Sequence, residues 1–179
     1  ETARQHAENE RWQEALTTAD RALASVRGQL LDDLNDAHWV EVEAAAFEEV
    51  RTECRETRIT ALLALGRLAP ALVEAAQLCG EYPFRDRTCW LRMVALHRAG
   101  RSPEALEQFR LHASRLDAEL GLEPGGELTA LQGAILRHEP GLAAWPRTPG
   151  WTGAEQVSVP ASPPAVAAMP ETDSSRLFV

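Results

Sequence analysis

Residues able to carry out catalysis or to hold a cofactor are few in this sequence of 179 residues. The histidines stand at unrelated spacings and form no H-E-x-x-H or Cys/His zinc pattern. The sequence contains no phosphate-binding loop of the type G-x-x-x-x-G-K-S/T or G-x-G-x-x-G, and no G-x-S-x-G elbow. The histidines are His6, His38, His97, His112 and His138. We therefore expect a protein that is not an enzyme and that holds neither a cofactor nor a metal.

Residues suited to binding lie close together in one predicted helix. Trp90, His97 and Arg98 are spaced i, i+7 and i+8, so on a helix they share one side. Arg87 lies close to Trp90 in the same stretch. We predict that Arg87, Trp90, His97 and Arg98 form part of a partner-binding groove. The alternative is that Trp90 simply belongs to the core.

The helices that position this surface follow from an internal sequence repeat. Gly-Arg followed by an Ala-Leu pair, with a period of about 34 residues, is typical of tetratricopeptide repeats. Glycine lets the chain reverse between antiparallel helices, and alanine lets two helices approach closely. The first copy contains Arg58, Ala61, Leu62, Gly66, Arg67, Ala71 and Leu72, and the second contains Arg92, Ala95, Leu96, Gly100, Arg101, Ala105 and Leu106. In such arrays the first helix of each repeat lines a concave groove, and arrays of this kind bind partners rather than catalyse reactions.

A third, degenerate copy precedes these two, because the element R-x-x-x-A-L recurs at residues 11–16. Its alanine, Ala15, precedes the equivalent Ala71 by more than one repeat period, so an insertion is expected around residues 27–38. No glycine or proline occurs from Trp39 to Leu65, which predicts one helix about 40 Å long. Val50 belongs to its apolar stripe, and its mixed charges are expected to be solvated.

Shorter helices complete the predicted array. The spacing of apolar residues and of Gly and Pro predicts helices over 70–81, 85–99 and 103–120. After the turn E-P-G-G-E, a final helix ends near His138, and its apolar face seals the end of the array. This face consists of Leu128, Leu131, Ile135 and Leu136. The predicted fold is therefore all-α, a right-handed tetratricopeptide-like helical repeat bundle.

Composition divides the chain into a domain and a tail. Seven of the eleven prolines lie beyond His138, so we predict a domain at 1–138 and a disordered, Pro/Ala-rich linker at 139–179. Trp145 and Trp151 in this linker either dock on a neighbouring domain or remain unattached. Because the chain starts without Met inside a predicted helix, we expect it to be part of a larger protein.

Charge limits the partners of the domain. The tail contributes −2 of the formal net charge of −9, which leaves −7 on residues 1–138 and disfavours direct contact with a phosphate backbone. All basic residues are arginine, which indicates a GC-rich genome, and the three cysteines fit reduced thiols in the cytoplasm. No signal peptide and no apolar run of about 18 residues is present, so we predict a cytoplasmic protein without a membrane partner.

Two stretches resemble a known family. The stretch R-G-Q-L-L-D-D-L-N-D-A-H-W-V-E-V-E-A-A-A-F-E-E-V-R at 27–51 resembles the bacterial transcriptional activator domain of the AfsR/SARP family of actinobacterial regulators. So does the closing stretch R-L-D-A-E-L-G-L-E-P-G-G-E-L-T-A-L at 115–131. The resemblance covers about residues 1–138 and includes the insertion, the two repeats and the closing element in the same order.

The resemblance implies a non-catalytic regulatory domain of a larger activator. In that family the helical domain supports dimerisation and contacts with the transcription machinery, including RNA polymerase. DNA is contacted by a winged-helix domain, which these 179 residues do not contain. The partners implied are a second copy, RNA polymerase or adjacent domains. Two alternatives remain: a generic peptide-binding adaptor of the tetratricopeptide type, and the regulatory segment of a multidomain ATPase or nucleotide cyclase.

Overall fold

The computed structural model describes residues 2–26 and 38–146, and it describes side chains for 2–25 and 44–146. Within these ranges the chain is α-helical and contains no strand, which confirms the predicted all-α class. The helices are α1 (Ala3–Glu8), α2 (Trp12–Val26), α3 (His38–Ala64), α4 (Leu68–Glu81), α5 (Asp86–Arg98), α6 (Ser102–Leu120), α7 (Gly126–Leu136) and α8 (Pro140–Ala144). Most of the expected insertion and the tail from residue 147 onward lie outside the described residues.

Three equivalent turns connect the helices of each predicted repeat. Gly66 and Gly100 have positive φ angles of 72° and 77°, and Glu10 occupies the same position in the degenerate copy with φ 56°. In each turn the N–H of the next residue donates to the carbonyl five residues before it. These hydrogen bonds join Arg11 to His6 at 2.8 Å, Arg67 to Leu62 at 2.8 Å and Arg101 to Leu96 at 2.9 Å. This shared geometry confirms the third copy, although a glutamate replaces the glycine that this backbone conformation favours.

The helices pack as an array of antiparallel pairs. The first helices of neighbouring pairs contact each other: α1 contacts α3, α3 contacts α5, and α5 contacts α7. Each second helix also contacts the first helix of the next pair. The repeated alanines Ala15, Ala71 and Ala105 are all fully buried, as expected where two helices approach closely. Helix α5 lies at the centre, since it contacts α3, α4, α6, α7 and α8. Most of its residues from Thr88 to Leu96 are buried.

A fourth turn extends the array beyond the predicted domain. His138 has φ 54°, and the N–H of Glu139 donates to Ala134 O at 3.0 Å, as in the three earlier turns. Pro140 then starts α8, where its missing N–H leaves no helical hydrogen bond unmade. Leu142 of α8 is fully buried. The expectation that the linker starts at residue 139 is therefore corrected, because a proline at a helix start is compatible with folded structure.

The closing element is anchored by one carboxylate at the start of α5. Asp86 Oδ2 accepts the N–H of Gly125 at 2.6 Å, and Asp86 Oδ1 lies 2.5 Å from Nε2 of the buried His112. A Cβ at Gly125 would lie 2.7 Å from Asp86 Oδ2, so any other residue here requires the Asp86 carboxylate to shift. Helix α7 buries three of its four predicted apolar residues, whereas Leu136 is 58% exposed.

The predicted faces of α3 need correction. Val50, assigned to the apolar stripe, is 64% exposed, whereas Arg55, assigned to the solvated face, is only 8% exposed. Helix α3 packs against α1, α2, α4 and α5, so more than one of its sides faces protein. A single stripe therefore does not describe a helix in the middle of an array. None of the described helices has both the length and the apolar character that spanning a membrane requires.

Candidate partner-binding surface

The predicted binding residues of α5 surround a tryptophan from the end of the described chain. The rings of Trp90 and Trp145 meet edge to face, with centroids 4.6 Å apart and an interplanar angle of 76°. The Arg87 guanidinium lies over Trp90 at 4.7 Å and near Trp145 at 6.0 Å. Arg98 Nη1 donates to the carbonyls of Leu63 and Trp145, each at 2.7 Å. Arg87, Trp90 and Arg98 thus share one contact, Trp145.

This arrangement changes the interpretation of both tryptophans. Trp145, expected to dock on a neighbouring domain or to remain unattached, docks on its own domain and is 8% exposed. Trp90 is 3% exposed, which agrees with its alternative assignment to the core. The prolines after His138 led to the prediction of a linker, so this contact was not predicted. The sequence signal for it was Trp145 itself, an aromatic residue directly after a short apolar stretch.

His97 and Arg87 occupy different environments on α5. His97 is half-buried, and its Nδ1 lies 2.9 Å from Ser102 Oγ. Burial, together with the nearby His138, lowers the pKa of His97. Burial also lowers the pKa of Arg87, and Glu56 and Glu127 offset part of this effect. Since an arginine pKa starts far above neutrality, Arg87 remains a cation. A partner-binding role for these residues stays a prediction.

A groove of 810 Å³ lies on the side of the first helices and is lined by residues of α1, α2, α3 and α5 together with Arg85. Arg87 lines this groove, so one predicted residue faces it. Val50, corrected above to exposed, is part of its apolar lining. The charged residues of the lining are Arg4, Arg85, Arg87, Glu8, Glu53 and Glu56. The groove therefore carries both signs of charge around a small apolar area.

Ion pairs fix the groove wall. Arg85, just before α5, binds Glu49 and Glu56 of α3 with N to O distances of 2.8 Å. The hydrogen bond with Glu49 is the largest of the effects that raise the pKa of Arg85. Burial raises the pKa of Glu56 even though Arg85 acts in the opposite direction. These contacts join the loop before α5 to α3, and they hold Arg85 in one orientation.

A second, more buried network lies between α2, α3 and α4. Arg58 binds Asp20 at 2.6 Å and also pairs with Glu74, while Arg55 pairs with Glu81 and lies 3.8 Å from Glu74. Burial raises the pKa of Glu74 despite both arginines. Sequence reasoning assigned the charges of α3 to a solvated face. The recurrence of Arg58 as Arg92 in the repeat was the signal that an arginine here has a structural role.

An array of antiparallel helix pairs with a charged groove beside its first helices defines a helical-repeat domain of the tetratricopeptide type. A family model described as bacterial transcriptional activator domain matches residues 1–136. The chain belongs to this family, which confirms the resemblance to the SARP-type regulators.

The curated relatives of this chain include regulatory proteins of Streptomyces. The chain is 39% identical over 128 residues to transcriptional regulator RedD of Streptomyces coelicolor, covering 72% of this chain and 37% of RedD. It is 39% identical over 122 residues to regulatory protein DnrI of Streptomyces peucetius, covering 68% of this chain and 45% of DnrI. The chain thus spans less than half the length of these curated relatives.

A solved structure has the same fold. Mycobacterium tuberculosis EmbR, determined in complex with a low-affinity phosphopeptide, matches with a TM-score of 0.73 and 31% sequence identity. The match covers 77% of this chain and 36% of the EmbR chain. The tetratricopeptide-like fold is therefore shared with a transcriptional regulatory protein.

Proposed function

We propose that this chain is the regulatory, protein-interaction part of a larger SARP-type transcriptional activator that acts in the cytoplasm. It supports dimerisation of the activator and contacts with RNA polymerase, and it works by binding rather than by catalysis. The observation that carries this proposal is the match of the activator-domain family over residues 1–136, on a helical array with an open groove.

The groove supplies the partner-binding surface in this proposal. Arg87 and Arg4 are cations that face it, and Glu8 and Glu53 are exposed anions in the same lining. Val50 adds apolar area that is left open to solvent. A partner segment that suits this lining is amphipathic and carries both signs of charge. The opposite charges fix its register, and burial of Val50 adds affinity.

In the same proposal, α5 has one face that Trp145 covers and another face that lines the groove. Trp145 covers Trp90 and accepts a hydrogen bond from Arg98, so this part of α5 is occupied by the chain itself. Arg87 contacts both tryptophans and also lines the groove. Partner binding at the groove is therefore coupled to α8 through Arg87. DNA binding is assigned to another part of the activator, because the segment 1–138 carries a formal charge of −7.

Titration of the labelled full chain with purified actinobacterial RNA polymerase, together with sedimentation of the chain alone, tests the proposal. We expect saturable polymerase binding, or a monomer–dimer equilibrium, that weakens about tenfold when Glu53 in the groove is reversed to arginine, which is about 1.4 kcal/mol. Asp117→Arg is the matched control, since Asp117 is an exposed acid on α6 outside the groove. A chain that stays monomeric and does not bind polymerase would refute the proposal.

The groove also favours a second function, that of a generic peptide-binding adaptor. Its volume of 810 Å³ and its mixed lining suit a short peptide without any further domain. Selection of peptides from a random library on the immobilised chain distinguishes the two functions. Peptides that bind at the groove of a chain that neither dimerises nor binds polymerase support the adaptor.

A further inference from the structure

The two regular repeats carry different charges at one position, where the first has a glutamate and the second a glutamine. In the first repeat, Arg58 of α3 pairs with Glu74 of α4. The equivalent residues of the second repeat are Arg92 of α5 and Gln108 of α6, so the second repeat keeps the arginine and loses the carboxylate. A neutral amide does not balance the charge of a guanidinium. The second repeat therefore lacks a buried carboxylate at this position, and the carboxylate that interacts with Arg92 there, Glu104, is exposed.

Two cysteine sulfurs occupy this place. Cys79 of α4 is 4% exposed and Cys89 of α5 is fully buried. Gln108 Nε2 lies 3.5 Å from Cys79 Sγ and 3.9 Å from Cys89 Sγ, so one amide joins both sulfurs. The Cys89 thiol and the Arg92 guanidinium both act on Cys79 electrostatically. Cys79 thus has an amide donor at its sulfur and a guanidinium whose charge favours the thiolate.

From this arrangement we infer that Cys79 is an oxidisable cysteine that reacts with hydroperoxides, and that Cys89 resolves the product into a disulfide between α4 and α5. Cys79 takes the role in the second repeat that Glu74 has in the first, namely the anion beside the repeated arginine. The inference does not depend on the function proposed above.

Electrostatics agree with this assignment of roles. The hydrogen bond from Cys89 and the charge of Arg92 lower the pKa of Cys79 to about 6, against the effect of burial. The pKa of Cys89 is raised by its hydrogen bond to Cys79 and by burial, so Cys89 keeps its proton. Groups facing the pair from other elements are Gln108 and His112 of α6, and Asp86 lies on α5. The thiolate is the reactive form of cysteine, and Cys79 is also the more exposed of the two.

The reaction balances with a hydroperoxide as the only oxidant. The Cys79 thiolate attacks one peroxide oxygen, the O–O bond breaks, and Cys79 becomes a sulfenic acid while hydroxide leaves. The Cys89 sulfur then attacks the Cys79 sulfur, an S–S bond forms, and the S–O bond breaks. The leaving hydroxide takes the Cys89 proton as water. With hydrogen peroxide, two thiols are oxidised and one peroxide is reduced to two waters.

Cys54 provides an internal comparison. It lies on α3, is half-buried and is therefore more exposed than Cys79. Burial and the nearby Glu74 and Asp20 raise its pKa, so it remains a thiol at neutral pH. If exposure controlled reactivity, Cys54 would react first. If the donors around Cys79 control it, Cys79 reacts first.

The test is stepwise oxidation of the reduced full chain by hydrogen peroxide at pH 7, followed by alkylation and peptide mass mapping. We expect two of the three thiols to disappear together, with a mass loss of two hydrogen atoms and a cross-linked peptide pair containing Cys79 and Cys89. Cys54 should remain alkylated, and the Cys54→Ser variant should behave like the parent chain. Preferential oxidation of Cys54, or alkylation of both Cys79 and Cys89 after excess peroxide, would overturn the inference.

Two variants separate the roles within the pair. In Cys89→Ala, Cys79 should stop at the sulfenic acid and be trapped by a 1,3-dione reagent. In Arg92→Gln, the oxidation rate at pH 5 should fall about tenfold, because at a pH below the thiol pKa a rise of one pKa unit leaves about a tenth of the thiolate. Circular dichroism of each variant checks its fold. Since the parent chain and Cys54→Ser already give a decisive result, a variant that fails to fold leaves the test intact.

Discussion

Removal of the Trp145 side chain tests whether α8 is part of the folded domain. Trp145 is 8% exposed, and its ring meets Trp90 edge to face at 4.6 Å. Truncation of a buried tryptophan costs about 3–5 kcal/mol. The lower value applies here, because the site lies at the end of the described helices and the surrounding chain can partly close the gap. We expect Trp145→Ala to lower the free energy of unfolding by about 3 kcal/mol, including about 1 kcal/mol from the aromatic pair.

The Arg98 contact should survive this change. Arg98 donates to the backbone carbonyl of Trp145, which alanine retains. Trp145→Phe keeps an aromatic edge against Trp90, so about 1 kcal/mol of loss is expected for this milder change. The two variants together therefore separate the aromatic contact from the filling of space.

Urea unfolding of the full chain, followed by far-UV circular dichroism, measures these differences. Leu136→Ala is the control, because Leu136 is an apolar residue of α7 that is 58% exposed, and its loss should cost no more than about 0.5 kcal/mol. Should Trp145→Ala unfold at the same urea concentration as the parent chain and the control, Trp145 would not contact Trp90 in solution. The α5 surface would then be open to a partner, and our assignment of Trp145 to the folded domain would be wrong.

Three further changes probe the anchor, the buried network and the pH response. Gly125→Ala should lower the unfolding free energy by about 2 kcal/mol, because the added Cβ meets the Asp86 carboxylate oxygen at 2.7 Å and displaces its hydrogen bond. Gly126→Ala is the control in the same urea experiment. Since a Cβ there lies in open space, it should change the unfolding free energy by less than about 0.5 kcal/mol. Glu74→Gln should cost about 2 kcal/mol, since it removes the more buried of the two carboxylates that pair with Arg58. Arg58→Met added to Glu74→Leu should recover most of this, and a double variant as unstable as Glu74→Gln would contradict the reasoning. The pKa of His97 is lowered from its ordinary value of 6.5, so the unfolded chain binds more protons below that pH and stability should fall as the pH drops further. His97→Gln should make the urea midpoint less sensitive to pH between about 7.5 and 5.5, and an unchanged pH dependence would exclude His97 as a cause.

The repeat architecture could be predicted because each turn depends on one local feature. Gly66 and Gly100 adopt positive φ, and their recurrence one repeat period apart fixes both the turns and the helices that flank them. Glu10 lacks this signal, and only the Ala-Leu pair that follows it indicates the degenerate copy. The equivalent hydrogen bonds show that tertiary packing imposes the turn even where the residue type does not favour it.

The candidate surface could be predicted only in part, because its residues meet through long-range contacts. Arg87, Trp90 and Arg98 all contact Trp145, but sequence spacing does not reveal that Trp145, three helices further along the chain, covers Trp90. The groove lining combines α1, α3 and α5, and charges such as Arg55 are buried between neighbouring helices. Helical periodicity describes one helix against one core, so it fails where a helix has several neighbours.

The most direct test of the central claim, that the groove is the partner-binding surface of an activator domain, compares two valines. Val50 in the groove is 64% exposed and Val73 on α4, outside the groove, is 60% exposed, so aspartate should be tolerated at both positions. We measure the Kd of each full-chain variant for RNA polymerase. Our account predicts that Val50→Asp weakens binding about tenfold or more while Val73→Asp leaves the Kd unchanged within about twofold. Equal affinities, or a loss confined to Val73→Asp, would contradict it.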